Sequence, residues 1–535
     1  MGKKVKSTEL RATSFEITVI SNVVRDLFQQ SFELTVASFK SVLSFVAQSL
    51  FNLIQSPSIF VQSVKARSSR FAARSLSFIV IAIILLIGTS VSAQQNSYFY
   101  HVNQYNFVRY DRNEMHYPGD RTNAKKFYSK LEQLVTTGEG RVNIVQIGGS
   151  HIQAGSFSGQ MRNRFQQLNG EMNAGWGFMF PYRIARTNSP FGYYIRYNGY
   201  WKTFRNVEGR KSGTLGVGGI SATTSSPKAE LTILLEDENE LDYSFNKLRI
   251  YYENTAKNYT INIDPDLVKN KEEANGYTDF ELNEWADSLQ ITLDKDYDSQ
   301  GNFTLLGMTT ESNPNGVMYH SIGVNGAHVP AFLRCQLFTE QLADLSPDLV
   351  ILGLGINDAY GRRFSQARFE DHYGQLIDKI RAAAPNALIV FTTNNDSYLY
   401  RRYVNKNGEK VQDSMFKMAK KYNAGVWDMF SVMGGLNSIV LWQNNGLAQS
   451  DKIHFTREGY LMIADLFFGA MMKDFENFIL DRKELTKKEE TVPPVSATLR
   501  TTESLASTFS LQVGGRQEPV VSEKHLRMSG GNNNE

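Results

Sequence analysis

Along the chain the spacing of apolar residues changes twice. From Ala124 to Leu134 apolar positions recur at helical spacing, and the largely apolar run from Val142 to Ile147 then reads as a buried strand. Gly148 and Gly149 break that strand, Ser150 follows at once, and a helix is predicted from near Ser158 through Leu168. Between about Tyr182 and Gly316 the pattern becomes one of short strand-like stretches and turns. Tyr193–Tyr197, Ala229–Leu235, Leu248–Tyr252, Tyr259–Ile263 and Gln290–Leu293 are the clearest of them. Strands this densely spaced predict a β-sandwich or jelly roll. After Met318 helices and strands alternate again: helix Val329–Leu345, strand Asp348–Gly353, helix Ser365–Ala384, strand Ala387–Thr392, helix Val411–Tyr422, strand Ala424–Met429 and a long helix from Arg457 to Phe478. That alternation predicts a mostly parallel sheet with helices on both faces, interrupted by a β-rich block between its first and second units.

The two ends read differently. Leu76–Ile87 is apolar apart from Ser77, follows Lys65, Arg67, Arg70 and Arg74, and precedes Val91-Ser92-Ala93. A charged region, a short apolar core and a small-x-small site predict a signal peptide or signal anchor over residues 76–93, with a mature chain from near Gln94. Residues 1–75 are then expected to be an N-terminal extension, either from a misplaced start, the favoured reading, or as a cytoplasmic extension on a signal anchor. The chain is expected to be exported to a periplasm, cell envelope or exterior, touching a membrane only through that segment if it stays uncleaved. Residues 481–535, with charge runs and a closing Gly-Gly-Asn-Asn-Asn-Glu, are expected to form a flexible polar tail.

Charge and cysteine use narrow the chemistry. Residues 1–75 hold ten Lys/Arg and four Asp/Glu, or +6, so the +3 of the whole chain leaves −3 for the remainder. The bulk of the protein has no basic field for nucleic acid. Cys335 is the only cysteine, which excludes an intramolecular disulfide, and its helical, apolar context predicts core packing. The eight histidines show no metal-ligand spacing, and no cofactor is implied. The loop Gly213–Gly219 lacks the Lys-Ser/Thr ending of a phosphate cradle and is read as a turn.

Four loops carry unusual residues, three of them where a parallel sheet gathers function, at the carboxyl ends of its strands, and one, Gly323–His328, ahead of helix Val329–Leu345. They are Gly148-Gly149-Ser150-His151, Gly323-Val-Asn-Gly326-Ala-His328, Gly355-Ile-Asn357-Asp358 and Asp451-Lys-Ile-His454. Together they supply an acyl-transfer site: Ser150 as nucleophile, His454 as its base, and Asp451 to fix the imidazole. The amides of Ser150 and Gly326 with the side-chain amide of Asn357 form the expected oxyanion hole. His328 is read as a structural or rim histidine.

This constellation resembles the SGNH (GDSL-like) hydrolases, whose blocks supply Ser, Gly, Asn and His in that order; here they fall on Ser150, Gly326, Asn357 and His454, with Asp451 from the Asp-x-x-His block. The resemblance implies a flavodoxin-like three-layer hydrolase domain in two parts, 126–185 and 318–480, around an inserted β-sandwich (jelly-roll-like) domain at 186–317. Gly149 stands where the family usually has Asp, a turn-shaping position. A β-rich insert at this point is similar to that of the peptidoglycan or polysaccharide O-acetylesterases, which implies carbohydrate binding by the insert and removal of O-acetyl groups from an acetylated polysaccharide or peptidoglycan. Tyr193, Tyr194, Tyr200 and Trp201 are candidates for stacking on sugar rings or for the sandwich core. The same triad is also compatible with an O-acetyltransferase, a lipid acyl-hydrolase or, if inactive, a carbohydrate-binding envelope protein.

Overall fold

A computed structural model describes residues 105–168, 172–236, 241–255 and 259–491. The expected signal segment, the extension before it and the tail beyond 491 lie outside the described residues. Among the described residues no helix is long and apolar enough to cross a membrane.

Six strands build the central sheet: β1 (Met115–His116), β2 (Arg141–Gly148), β3 (Gly316–Gly323), β4 (Leu349–Gly353), β5 (Leu388–Thr392) and β6 (Gly425–Trp427). Their spatial order is β1-β6-β5-β4-β2-β3, parallel except for β1, which runs antiparallel to β6 at one edge. Leaving out β1, the first strand is flanked by the second and third and the order is flavodoxin-like. Among the described residues ten helices accompany it: α1 (Thr122–Thr137), α2 (Ser150–Gln153), α3 (Ser156–Gln166), α4 (Val329–Leu333), α5 (Phe338–Asp344), α6 (Gln366–Ala383), α7 (Asn407–Tyr422), α8 (Met429–Val432), α9 (Ser438–Asn444) and α10 (Arg457–Thr491).

Strand residues alternate between two apolar layers, as the two-residue period of a strand requires. Leu349, Ile351, Leu388 and Val390 face the core that holds Phe127, Leu131, Phe165, Ile463 and Phe467, from α1, α3 and α10. Val350, Leu352, Ile389 and Phe391 face the core that holds Phe369, Leu376, Ile377 and Met415, from α6 and α7. Since both faces are covered, the strands read as continuous apolar runs.

Between α3 and β3 the chain makes two antiparallel sheets. One has the order 193–198, 228–235, 288–294, 260–262; the other runs 268–274, 277–286, 245–252, 303–311, 220–224, 201–205, with 177–179 also paired to 303–311. Every second residue is buried along 228–235 and 288–294, and Leu231, Ile233, Ile291 and Leu293 share a core with Leu248, Ile250, Phe303 and Leu305 of the other sheet. The expected β-rich insert is therefore a sandwich. It is joined to the parallel domain through the same core, which also contains Val324, Phe332 and Phe338. Its larger sheet recruits Gly177–Met179, upstream of position 186, through pairs such as Met308 with Met179. Tyr193 is core, Trp201 packs against it, and Tyr200 is exposed.

Three elements differ from the sequence reading. The return from the insert is a full strand, β3, paired residue for residue with β2 from Gly316–Arg141 to Gly323–Gly148. The helix expected over Val329–Leu345 is broken between α4 and α5, because the Gly213–Gly219 loop docks there: Leu337 N donates to Leu215 O, and Leu215 N donates to Gln336 Oε1. Cys335 sits buried in that break, where desolvation pushes its thiol up to about 12. Finally, α10 runs past Phe478 to Thr491, through a Lys/Glu-rich stretch of strong helix formers.

Candidate active site

At the carboxyl edge of the sheet, Gly148 lies in register between Gly323 on one side and Gly353 on the other. The row of missing side chains lets α2 fold directly over the strand ends. A Cβ on Gly148 would sit 2.3 Å from Ile152 Cγ1, and one on Gly323 would sit 2.2 Å from the backbone nitrogen of Gln153. Ser150 begins α2 at this point, so its hydroxyl stands above the sheet edge.

Ser150 Oγ and His454 Nε2 are 2.8 Å apart, and His454 Nδ1 lies 2.7 Å from Asp451 Oδ2. With Nδ1–H donating to the carboxylate, Nε2 is left as the acceptor for the Ser150 hydroxyl. Asp451 closes its own loop, since Oδ1 accepts from the backbone N–H of Ile453 and of His454 at 2.9 and 3.0 Å. Partial burial pushes this carboxyl up, but the hydrogen bonds from His454 and Ile453 outweigh it and hold the group below its usual range. It is therefore the anionic partner that an imidazolium needs.

The expected oxyanion donors converge on the same edge. Gly326 follows β3 with φ of +80°, a left-handed conformation suited to glycine. Gln153 and Asn325 fix its loop: Asn325 N donates to Gln153 Oε1 at 2.7 Å, and both side-chain amides donate to Thr187 Oγ1. Asn357 Nδ2 donates one hydrogen to Ala327 O at 2.9 Å, which leaves the second for a ligand. The amides of Ser150 and Gly326 have no carbonyl partner among the described residues. Gly149 lies against this group, where a Cβ would come within 3.2 Å of Asn357 Nδ2. A side chain there would press on the amide.

His328 is the N-cap of α4, its Nδ1 accepting from Ala331 N at 3.0 Å. Asp358 accepts from the next amide, Val329 N, and its burial raises its pKa to about 6. Both are structural, in keeping with the rim reading of His328.

Two residues not singled out in the sequence complete the surroundings. His151 packs its ring 5.1 Å from that of His454, and its Nδ1 is 2.8 Å from Tyr460 Oη. Desolvation, then the nearness of His454, push His151 down to about 3, so it is a neutral neighbour and no rival base. Adjacency to Ser150 was the only signal available for it. Asn395, in the loop after β5, donates from Nδ2 to Ile453 O at 2.9 Å and braces the Asp451–His454 turn from behind. Among the described residues no cluster of His, Cys, Asp and Glu could hold a metal ion.

Residues 292–462 match the family model "GDSL-like Lipase/Acylhydrolase family", a span that holds Gly326, Asn357, Asp451 and His454 and begins after Ser150. No curated protein matches the chain by sequence. Among solved structures, a peptidoglycan O-acetylesterase matches with 22% identity and a TM-score of 0.58, covering 68% of this chain and 99% of that one. An acetyl xylan esterase matches with 19% identity, a TM-score of 0.24 and coverage of 29% and 81%. A carbohydrate esterase family 3 protein from Talaromyces cellulolyticus matches with 16% identity, a TM-score of 0.25 and coverage of 31% and 76%. Over residues 292–462 the chain is thus similar to the GDSL-like lipases and acylhydrolases, and it shares its fold with the first of these structures.

Proposed function

We propose that this chain is an exported serine esterase that removes O-acetyl groups from an envelope or extracellular polysaccharide, peptidoglycan foremost. The observation that supports this most directly is the continuous chain of hydrogen bonds from Ser150 through His454 to Asp451. Ser150 Oγ attacks the acetyl carbonyl carbon while its proton passes to His454 Nε2. The carbonyl oxygen becomes an oxyanion facing the amides of Ser150 and Gly326 and the side chain of Asn357. Asp451, already anionic, stabilises the imidazolium. The tetrahedral species collapses with cleavage of the ester C–O bond, the sugar oxygen takes the proton from His454, and acetyl-Ser150 remains. Water, deprotonated by His454, repeats the attack and releases acetate. The substrate class is supported by the β-sandwich joined to the hydrolase core and by the fold shared with a peptidoglycan O-acetylesterase. Export is supported by the apolar segment at 76–87 and its flanks.

The test is acetate release from O-acetylated peptidoglycan and from acetylated xylan, by the parent chain and by Ser150→Ala. Release should fall by at least ~10³-fold in the variant, the scale on which a triad nucleophile acts. Fluorophosphonate labelling that Ser150→Ala abolishes, without release from either polymer, would keep the nucleophile and discard the substrate. Neither labelling nor release would discard the enzyme.

A further inference from the structure

Beside the triad lies a surface that this chemistry does not use. A short hairpin, Tyr398–Leu399 with Tyr403–Val404, follows β5. Its first strand is bonded to the triad loop: Tyr398 N donates to Lys452 O at 3.0 Å, and Lys452 Nζ lies 4.4 Å from the centre of the Tyr398 ring. Its turn is bonded to the loop of Asn357, since Tyr400 N donates to Tyr360 Oη at 2.9 Å and the two rings meet edge-on at 5.9 Å. Asn407 Nδ2 donates to both Ala359 O and Gly361 O and clamps the two loops together.

What these loops present is aromatic and cationic. Tyr360 and Tyr400 are 37% and 66% exposed. Arg362, Arg363, Arg401 and Arg402 are exposed, and no ion pair engages them among the described residues. The sequence holds no Asp or Glu between Asp358 and Glu370, nor between Asp396 and Glu409. The turn itself is strained for its residues. Tyr400 and Arg401 have φ of +53° and +61°, and Arg402 N donates to Leu399 O, an arrangement that favours Asn-Gly. An uncomplemented positive ledge that keeps large side chains in a glycine-type turn, two short bridges from the nucleophile's partners, fits a ligand of opposite charge with ring faces to stack.

We propose that this Tyr/Arg ledge is a subsite for the glycan strand that carries the scissile acetyl group, and that it selects a carboxylate-bearing glycan, as peptidoglycan is, over a neutral one. The inference rests on the esterase reading for the identity of the strand. Arginine guanidinium groups pair with the pendant carboxylates while Tyr360 and Tyr400 pack on the sugar rings.

Binding separates the two ideas. The full chain carrying Ser150→Ala is co-sedimented with peptidoglycan and with the same material after its carboxylates have been amidated. The expected result is about fivefold to tenfold tighter binding to the untreated polymer, within the roughly 2- to 30-fold that two exposed charge pairs can supply. Adding Arg401→Gln with Arg402→Gln should erase that preference, and Arg401→Lys with Arg402→Lys should restore part of it. Equal binding to both polymers, or a preference untouched by the glutamine pair, overturns the subsite. Acetate release by the chain with Ser150 intact is read separately. A charge preference without release would discard the acetylesterase and leave the ledge, and release without preference would do the reverse.

Discussion

At Asp451 one carboxylate accepts from two backbone amides and from the His454 ring within a four-residue turn, so the group that orients the base is itself held rigidly. Opposite it, Asn357 is poised by its bond to Ala327 O with one amide hydrogen left to donate. Replacing it, Asn357→Ala, removes one donor to the developing oxyanion. The expected outcome in steady-state kinetics is a loss of ~10²–10³-fold in kcat with KM little changed. A fall in KM-linked binding alone would mean that Asn357 contacts the ground state and not the oxyanion. These residues were legible in the sequence because each sits in a short block whose residue types announce their chemistry. His151 and Asn395 were not, since each acts through a contact with a residue far along the chain.

At the scale of the element, the placement of Ser150 depends on how closely α2 approaches the sheet. Gly323 on β3 makes room for the backbone of Gln153, and a methyl group there meets main chain that has no rotamer to give. The substitution Gly323→Ala should cost about 1–3 kcal/mol of stability by denaturant unfolding, and it should lower activity by displacing α2. Unchanged unfolding and activity would show that the edge is softer than its packing implies. The strands were legible wherever both faces are apolar, as in β2, β4 and β5. β3 was harder: its Gly316, His320, Ser321 and Gly323 dilute the apolar pattern, and the burial of His320 is explained by a partner elsewhere, Phe178 N donating to its Nδ1. The break between α4 and α5 was likewise invisible, because apolar spacing continues across it while a loop more than a hundred residues upstream supplies the hydrogen bonds.

For the whole molecule, four groups, Asp396 and His320 buried and Asp358 and His151 half-buried, set opposing responses to pH. Asp358 and Asp396, raised to about 6 by burial, bind more protons folded than unfolded between about 4 and 6. Their contribution is present in acid and lost as pH rises through 6. His151 and His320, pushed down to about 3 by burial, bind fewer protons folded than unfolded between about 3 and 6.5. Their contribution is present at neutral pH and lost as pH falls toward 3. Removing one acid, by Asp396→Asn, tips the balance. Relative to the parent, stability of the variant should rise with pH between 4 and 6, by up to about 1.4 kcal/mol per pH unit. Unfolding curves at pH 4, 5 and 6 that stay parallel for the two proteins would count against a raised Asp396.

The placement of the sandwich between β2 and β3 has a consequence in time. Ser150 and His454 are 304 positions apart, so they leave the ribosome roughly 15–60 s apart at ordinary rates of synthesis. Until the Asp451–His454 turn arrives, the Ser150 hydroxyl has no imidazole beside it. On the proposed mechanism a half-made chain is chemically silent, and so is one truncated before His454.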